Sequence, residues 1–389
     1  MRDAVIVEAV RTPIGKGRPT GALAHVHPVQ LLAHTLRTLV ERSGVDPALI
    51  DDVIGGTVDQ VGEQAMNTTR YAALAAGLPE TVPATTVDRQ CGSSQQAVHF
   101  AAQGVMAGAY DLVVACGVES MSRVPMWSNV PAGADPFGPG VAERYPEGLV
   151  PQGISAELIA AKWSLSRARM DEFAVSSHGR AAAAWEGGLF DAEVAPLEGV
   201  GRDESVRPGS TPEVLAGLKP AYYDAAFAER FPGIEWNVTA GNTSPVNDGA
   251  SAVLITSGEM AARLGLRPLA RLHSFAVTGS DPLLMLTGVV PATEKVLHRA
   301  GLRLSDIDLF EVNEAFASVV LAWQQETGAD LARVNVRGGA IALGHPLGAS
   351  GTRLTTTLVH AMRERGARYG LQTMCEAGGL ANAMILESV

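Results

Sequence analysis

A β-type run, a turn of small residues and the start of a helix follow one another in Val87-Asp88-Arg89-Gln90-Cys91-Gly92-Ser93-Ser94-Gln95-Gln96-Ala97-Val98. This order places Cys91 at the N-terminal end of a helix, where unpaired backbone N–H groups and the helix dipole favour the thiolate. A lone cysteine before a helix is nevertheless more often a packing residue than a nucleophile. The stretch therefore predicts a strand–turn–helix unit and leaves both roles open for its thiol.

The same alternation of strand and helix continues on both sides of this stretch. Upstream, Ala4–Val10 is strand-like, and Val29–Ser43 has the apolar spacing of a helix. Downstream, Leu112–Cys116 is a wholly apolar strand, as expected in a sheet that is covered on both faces. The pattern predicts an α/β protein with layered helices and mainly parallel strands.

The composition of the chain changes in its middle third. Between about residues 121 and 239 the alternation stops, and Pro, Gly, Trp and charged residues cluster in Val124–Pro146. Each flanking part contains a strand, a turn with a reactive side chain and a helix, which suggests two duplicated α/β halves. The predicted divisions are 1–120 with about 246–270 as an N-terminal half, 121–245 as a loop domain and 271–389 as a C-terminal half.

The length, composition and net charge of the chain limit its possible partners and its cellular compartment. The 389 residues are too many for one ordinary core, and the 47% of hydrophobic residues suffices for large buried sheets. A formal net charge of −11 argues against nucleic acid or an anionic membrane as the main partner. Three cysteines without regular spacing indicate neither a disulfide framework nor a zinc site, which favours a reducing cytoplasm. No apolar stretch reaches membrane-spanning length.

Four polar or glycine-rich segments stand at predicted ends of strands and helices. They are Gln90-Cys91-Gly92-Ser93-Ser94, Glu311-Val312-Asn313-Glu314-Ala315-Phe316-Ala317, Asn335-Val336-Arg337-Gly338-Gly339-Ala340-Ile341-Ala342-Leu343-Gly344-His345-Pro346-Leu347-Gly348-Ala349-Ser350-Gly351 and Met374-Cys375-Glu376-Ala377-Gly378-Gly379-Leu380-Ala381-Asn382. Singly, each fits a capped turn or a tight turn. Together they supply two thiols, an imidazole and an amide, which match the base, oxyanion pocket and second acid/base that a thiolate nucleophile requires.

These four segments resemble the signature motifs of the thiolase family. Gly241-Asn242-Thr243-Ser244-Pro245-Val246-Asn247-Asp248-Gly249-Ala250 resembles a fifth motif, and the similarity in order and spacing runs from Val5 to Leu386. The resemblance implies a duplicated αβαβα layered fold with an inserted loop domain. It also implies a homodimer or homotetramer, with Met121–Val141 as a tetramer contact.

The resemblance implies a role for five residues at the catalytic centre. Cys91 would be the acylated nucleophile, and His345 would be its base. His345 would also form one oxyanion hole together with a water that Asn313 holds. Cys375 would be the acid/base at the substrate α-carbon. The second oxyanion hole would use the backbone N–H groups of Cys91 and Ala377, where alanine replaces a usual glycine.

The resemblance also implies coenzyme A and acyl-CoA as substrates and products, without a permanently bound cofactor or metal. Ser244 and Phe316 would lie along the pantetheine, and Met285 would lie near the acyl end. Arg207 would lie near the adenine, and Tyr222 would stand beside the nucleotide.

The function implied by the resemblance is thiolytic cleavage of 3-ketoacyl-CoA through an acyl-cysteine, with ping-pong kinetics and a degradative role. Val150–Ile154 lacks the His-Met pair of acetoacetyl-CoA-forming members, and Val118–Met126 is closer to degradative members. A biosynthetic acetyl-CoA acetyltransferase is the second hypothesis. A decarboxylating condensing enzyme would lack a second catalytic cysteine, so Cys375 counts against it. A non-catalytic thiolase-like binding protein is the alternative from another class.

Overall fold

The computed structural model describes residues 2–389, which fold around one ten-stranded mixed β-sheet. The strands are β1 Val5–Arg11, β2 Gly15–Lys16, β3 Asp52–Gly56, β4 Ala84–Val87, β5 Leu112–Ser120, β6 Asn247–Thr256, β7 Ala270–Gly279, β8 Leu309–Val312, β9 Tyr369–Glu376 and β10 Leu380–Glu387. Their order across the sheet is β4-β3-β5-β6-β1-β7-β10-β9-β8, with β2 beside β6. The predicted α/β class is confirmed.

Thirteen α-helices surround this sheet in the described part of the chain. They are α1 Pro28–Ser43, α2 Thr68–Ala76, α3 Ser93–Ala107, α4 Gly138–Arg144, α5 Gln152–Lys162, α6 Arg167–Glu186, α7 Pro212–Ala216, α8 Ala225–Arg230, α9 Gly258–Leu264, α10 Val289–Ala300, α11 Ala317–Thr327, α12 Ala340–Leu343 and α13 Ser350–Arg365. Within residues 2–389, none of the helices has the length and apolar character needed to cross a membrane.

The sheet consists of two halves with the same internal order. Strands β1 and β7 pair antiparallel at the seam. On one side of the seam, β4, β3 and β5 are parallel neighbours and β6 is antiparallel to β5. On the other side, β8 and β9 are parallel and β10 is antiparallel to β9, while a single parallel bridge from Phe310 to Val334 occupies the position of β4. The repeated order confirms the duplicated fold.

The expectation of mainly parallel strands is wrong for the middle of the sheet. There, β6 is antiparallel to both β5 and β1, and β10 is antiparallel to both β9 and β7. A short turn joins β9 directly to β10, and strands joined in this way must run antiparallel because a parallel pair needs a crossover connection. Strand β7 was absent from the predicted strands, although it forms the seam.

Helices α3 and α13, one from each half, occupy the central layer. The apolar residues of α3 and α13 pack on the inner sheet faces, with Val98 of α3 and Leu358 of α13 fully or almost fully buried. Their facing sides carry polar contacts: the backbone N–H of Thr352 donates to Ser94 Oγ at 3.0 Å. Helices α1 and α2 cover the outer face of the first half, and α10 and α11 cover that of the second. The layering is therefore αβαβα.

The segment between β5 and β6 contains helices α4 to α8 and, in the described chain, none of the named strands. Helix α5 packs against α11, and helix α6 packs against α12, so the segment lies over the second half near the loop that carries His345. We retain the division into residues 1–120 with about 246–270, residues 121–245 and residues 271–389 as a proposal.

Gly348 is a point of close packing between the two halves. A Cβ there would lie 2.6 Å from Thr57 Cα and 2.7 Å from Gly56 O. Because backbone atoms cannot move aside cheaply, Gly348→Ala is expected to lower the free energy of unfolding by about 2–3 kcal/mol. The measurement is urea unfolding of both proteins. The control is Gly179→Ala on the exposed face of α6, where a Cβ meets nothing within 4 Å and should raise the free energy of unfolding by about 0.5–1 kcal/mol. Equal free energies of unfolding for wild type and Gly348→Ala would contradict the close packing at Gly348.

Candidate active site

Cys91 lies in the turn between β4 and α3, as the sequence predicts. Gln90 adopts a φ of +50°, a left-handed conformation that is uncommon for a residue with a side chain. The turn is closed by Ser93, whose Oγ accepts a hydrogen bond from Arg89 N at 2.9 Å and donates one to Gln90 O at 2.6 Å. The Cys91 thiol is therefore held in a fixed position, and the residue is 5% exposed.

Desolvation controls the protonation of this thiol. Burial raises the pKa of Cys91 to about 12, and the carboxyl group of Glu376 adds to the rise. The expectation that the helix end would favour the thiolate is thus outweighed by the loss of water around the sulfur. A side-chain hydrogen bond from Gln152 acts in the opposite direction. The nucleophile consequently needs a base.

The His345 side chain presents one ring nitrogen to the site. Its Nδ1 lies 2.6 Å from Ser350 Oγ, and that hydroxyl donates its own proton to Pro346 O at 2.8 Å. Since the hydroxyl proton is used, Ser350 Oγ must accept from Nδ1–H. The unprotonated nitrogen is therefore Nε2, which lies 3.5 Å from Asn313 Nδ2. This tautomer is the one that a base acting through Nε2 requires.

His345 is uncharged over the ordinary pH range. Burial first, and then the positive charge of Arg353, lower the pKa of His345 to about 3. Its backbone N–H donates to Asn247 Oδ1 at 2.9 Å, which fixes the loop that carries it. A neutral, oriented imidazole can accept a thiol proton.

Asn313 stands at the end of β8, and its backbone N–H donates to Thr373 O at 3.1 Å. Its side chain is fully buried, and Oδ1 has no hydrogen-bond partner among the described residues. A buried amide oxygen with no protein partner is suited to holding a water molecule. The predicted position of Asn313 beside His345 is therefore compatible with the oxyanion hole that the resemblance implies.

Cys375 stands near the end of β9 and is fully buried. Burial raises the pKa of Cys375 well above its ordinary value, and Cys91 and then Glu376 raise it further whenever they carry a negative charge. Cys91 packs in a buried apolar cluster with Met374, the residue that precedes Cys375. The structure thus brings the segments that carry the two predicted thiols next to each other, although they are far apart in sequence.

The turn after Cys375 accommodates alanine at position 377. Its two left-handed positions are Gly378, with a φ of +79°, and Gly379, with a φ of +78°. Ala377 has no positive φ, so its Cβ causes no backbone strain. The backbone N–H of Ala377 is therefore retained in a turn that alanine fits, although its place in an oxyanion hole stays a prediction.

Three of the five residues predicted to contact coenzyme A, Ser244, Phe316 and Tyr222, lie close together, and a fourth, Met285, belongs to the same core cluster as Phe316. Both N–H and Oγ–H of Ser244 donate to Ala315 O, at 3.0 and 3.1 Å. The ring of Phe316 lies 5.9 Å from that of Tyr222, centroid to centroid, and Met285 belongs to the same apolar cluster as Phe316 and Cys375. Tyr222 packs against Gly153 at the start of α5, near the catalytic side chains.

Arg207, the fifth residue, is exposed and lies apart from this group. Its backbone N–H donates to Nδ1 of His178 on α6 at 3.2 Å, and its charge contributes to lowering the pKa of His178 to about 4. Among residues 2–389, its guanidinium takes part in none of the hydrogen bonds or ion pairs. Its proximity to an adenine stays a prediction.

Sequence reasoning missed two side chains at this site. Gln152, the first residue of α5, lowers the pKa of Cys91, whereas in the sequence Val150–Ile154 stands out only for the His-Met pair that it lacks. Glu119, at the end of β5, accepts hydrogen bonds from Gln64 Nε2 at 2.6 Å and from Gly348 N at 2.8 Å. Burial raises the pKa of Glu119 to about 7. The sequence signal that could have identified Glu119 is a carboxyl group within an otherwise apolar strand.

His99, two turns after Cys91 on α3, links stability to pH. Burial, together with the charge of Arg89, lowers the pKa of His99 to about 3, and its ring stacks on Phe275 at 5.2 Å. Between pH about 6.5 and 3 the unfolded chain binds this proton and the folded chain does not, so stability falls as pH falls. His99→Phe should remove about 1.4 kcal/mol per pH unit of that dependence in urea unfolding. His298→Phe, at an exposed site, is the control, and parallel profiles for wild type and His99→Phe would refute the assignment.

The layered α/β fold, with two buried thiols and a neutral imidazole on neighbouring segments, is typical of acyltransferases that work through a cysteine. The family models described as "Thiolase, N-terminal domain" and "Thiolase, C-terminal domain" match residues 4–259 and 266–388. The chain therefore belongs to the thiolase family, and it is an enzyme of that family.

Full-length relatives agree with this assignment. The chain is 47% identical over 399 residues to a steroid 3-ketoacyl-CoA thiolase of Mycobacterium tuberculosis, covering 100% of this chain and 94% of that protein. It is 42% identical over 404 residues to a 3-ketoacyl-CoA thiolase of Bacillus subtilis, with complete coverage of both. The crystal structure of the Bacillus anthracis acetyl-CoA acetyltransferase has a TM-score of 0.89 and 38% identity, covering 100% of this chain and 99% of that one.

Proposed function

We propose that this protein cleaves 3-ketoacyl-CoA with free coenzyme A, giving acetyl-CoA and a shortened acyl-CoA. The observation that carries the proposal is that Cys91 packs in one buried cluster with Met374, the residue before Cys375, and with Leu347, two residues after the neutral His345. One thiol serves as nucleophile and the other as proton donor, which is what carbon–carbon cleavage followed by thioester exchange requires.

The first half-reaction begins with proton transfer from the Cys91 thiol to His345 Nε2. The thiolate attacks the 3-keto carbon, and the backbone N–H groups of Cys91 and Ala377 stabilise the oxyanion. Collapse of this intermediate breaks the bond between the α-carbon and the former keto carbon. The acyl group stays on Cys91, and the enolate of acetyl-CoA takes the proton of Cys375. Protonated His345 and a water at Asn313 stabilise the enolate oxygen.

The second half-reaction returns both thiols to their starting state. The incoming coenzyme A gives its thiol proton to the Cys375 thiolate and attacks the acyl-Cys91 thioester. Cys91 leaves as a thiolate and recovers its proton from His345. One thioester is exchanged for another, so the proposed cycle uses coenzyme A as a substrate without a permanently bound cofactor. The covalent intermediate predicts ping-pong kinetics.

We further propose that the enzyme works in the direction of degradation. Two relatives quoted above are named 3-ketoacyl-CoA thiolases, one of them for steroids. In this chain, Gln152, which lowers the pKa of the nucleophile, stands in the segment where acetoacetyl-CoA-forming members have a His-Met pair. Both observations favour substrates larger than acetoacetyl-CoA.

A panel of acyl-CoA substrates tests this function. Coenzyme A-dependent loss of 3-ketoacyl-CoA is measured for acetoacetyl-CoA, for medium- and long-chain substrates and for a ring-bearing substrate, with Cys91→Ala as the control. Turnover that extends beyond acetoacetyl-CoA is the expected result. Turnover of acetoacetyl-CoA alone would indicate the biosynthetic acetyltransferase. If wild type neither turns over any substrate nor acylates Cys91, the chain is a non-catalytic binding protein.

We also propose a cytoplasmic homodimer or homotetramer. Three apolar side chains of the segment after β5 face solvent in the single chain: Met126 is 40% exposed, Trp127 56% and Phe137 61%. Exposed apolar groups within one short segment are typical of a protein–protein contact. The three cysteines are free thiols, which suits a reducing compartment. Analytical ultracentrifugation tests the assembly, and a monomer would contradict it.

A further inference from the structure

Glu376 places a carboxyl group beneath the turn that carries the nucleophile. It follows Cys375 directly, and its side chain is fully buried. A Cβ built on Gly92 would come within 1.8 Å of Glu376 Oε1, so this oxygen rests against the Cα of the residue after Cys91. A single carboxyl group is therefore adjacent to one thiol along the chain and to the other across the pocket.

Neither oxygen of this carboxyl group has a hydrogen-bond partner among residues 2–389. Asn382 lies beside it, because the same Cβ on Gly92 would be 2.9 Å from Asn382 Nδ2. That nitrogen donates to Gly92 O at 3.2 Å, while Asn382 Oδ1 is buried and unpartnered. A carboxylate can only accept hydrogen bonds, whereas a carboxylic acid can donate one to a free amide oxygen. The surroundings of Glu376 therefore fit its protonated, uncharged form.

The charges around Glu376 support the same protonation state. Burial raises the pKa of Glu376 well above its ordinary value, while Arg89 lowers it and Asp88 raises it. Arg89 and Asp88 lie together in the turn before Cys91, and their effects on the pKa of Glu376 oppose each other. Within the described chain Glu376 forms no salt bridge, and an unpaired buried carboxylate would be costly. The remaining ionisable groups that face it are the thiols of Cys91 and Cys375.

We propose that Glu376 is a positioning residue of the thiolase reaction that acts as an uncharged carboxylic acid, supporting the Cys91 turn through Asn382 and keeping negative charge away from both thiols. The inference rests on the proposed function. Its chemical reason lies in the reaction cycle, since Cys375 becomes a thiolate each time it protonates the enolate. A carboxylate beside that thiolate would oppose its formation by like-charge repulsion. Ionisation of Glu376 at alkaline pH therefore lowers activity.

Glu376→Gln removes the ionisable group and keeps the shape of the side chain, because glutamine is nearly isosteric with glutamic acid and stays uncharged. At neutral pH, kcat for thiolysis should stay within about threefold of wild type, whereas Glu376→Ala should lower it by more than about tenfold. At alkaline pH, wild type should lose activity while Glu376→Gln retains it. Glu172→Gln, on the exposed face of α6, controls for the loss of a negative charge anywhere on the molecule.

The rate of Cys91 alkylation by iodoacetamide gives a readout that needs no substrate. At alkaline pH the Glu376→Gln protein should be alkylated faster than wild type, because no carboxylate then opposes the thiolate. Identical pH profiles for wild type and Glu376→Gln would overturn the inference. It would also be overturned if folded Glu376→Gln lost as much activity as Glu376→Ala. If wild type cleaves no 3-ketoacyl-CoA, the proposed function fails, and the alkylation profiles still decide the role of Glu376.

Discussion

Replacing Cys91 by alanine is expected to lower kcat/KM for thiolysis by at least about 10⁴-fold, because the acyl group then has no covalent acceptor. The residue is 5% exposed and lies in the turn before α3, so the smaller side chain should leave the fold intact. Initial rates with a 3-ketoacyl-CoA substrate and free coenzyme A measure the loss. Mass spectrometry of wild type incubated with acyl-CoA should find the acyl group on Cys91.

The matched control for this prediction is Cys116→Ala. Cys116 is also a free thiol, but it is fully buried in β5, and burial raises its pKa. We expect Cys116→Ala to keep its activity, because that thiol has no base beside it among the described residues. An acyl group on Cys116, or substantial turnover by Cys91→Ala, would show that the nucleophile has been misassigned.

The second large effect is expected for Cys375→Ala, which should separate the two kinds of chemistry. Carbon–carbon cleavage should fall by at least about 10³-fold, because the departing enolate loses its proton donor. Exchange of coenzyme A between an acyl-CoA and free coenzyme A breaks no carbon–carbon bond. In the proposed cycle Cys375 also accepts the thiol proton of coenzyme A, but this thiol can lose its proton to water before it binds. Exchange should therefore fall much less than cleavage, since Cys91 and His345 remain in place.

Two measurements on the same variant test this separation. Thiolysis is followed with a 3-ketoacyl-CoA, and exchange is followed with isotopically labelled coenzyme A and a simple acyl-CoA. Cys375→Ser, which retains a weaker acid at the same position, should fall between alanine and wild type in the cleavage assay. Equal losses of cleavage and exchange in Cys375→Ala would contradict a specific role of this residue as proton donor to the enolate.

Local patterns in the sequence were sufficient to locate most of the strands and helices. The helix predicted over Val29–Ser43 is α1, which spans Pro28–Ser43 in the structure. Its apolar periodicity is a property of neighbouring residues, so it can be read without knowledge of the fold. Strand β7, in contrast, lacks a continuous apolar run, and half-buried residues such as His273 and Ser274 interrupt it. Its pairing with β1 and β10 makes it a strand, and pairing depends on distant residues.

The sequence alone determined the family, the duplicated layered fold and the identity of the four catalytic candidates Cys91, Asn313, His345 and Cys375. These follow from motifs whose order along the chain is visible directly. Only the tertiary structure decided the protonation states, because desolvation depends on what surrounds a group and outweighs the helix end at Cys91. It also placed Gln152 and Glu376 beside the thiols, contacts between segments that are remote in sequence and brought together only by packing.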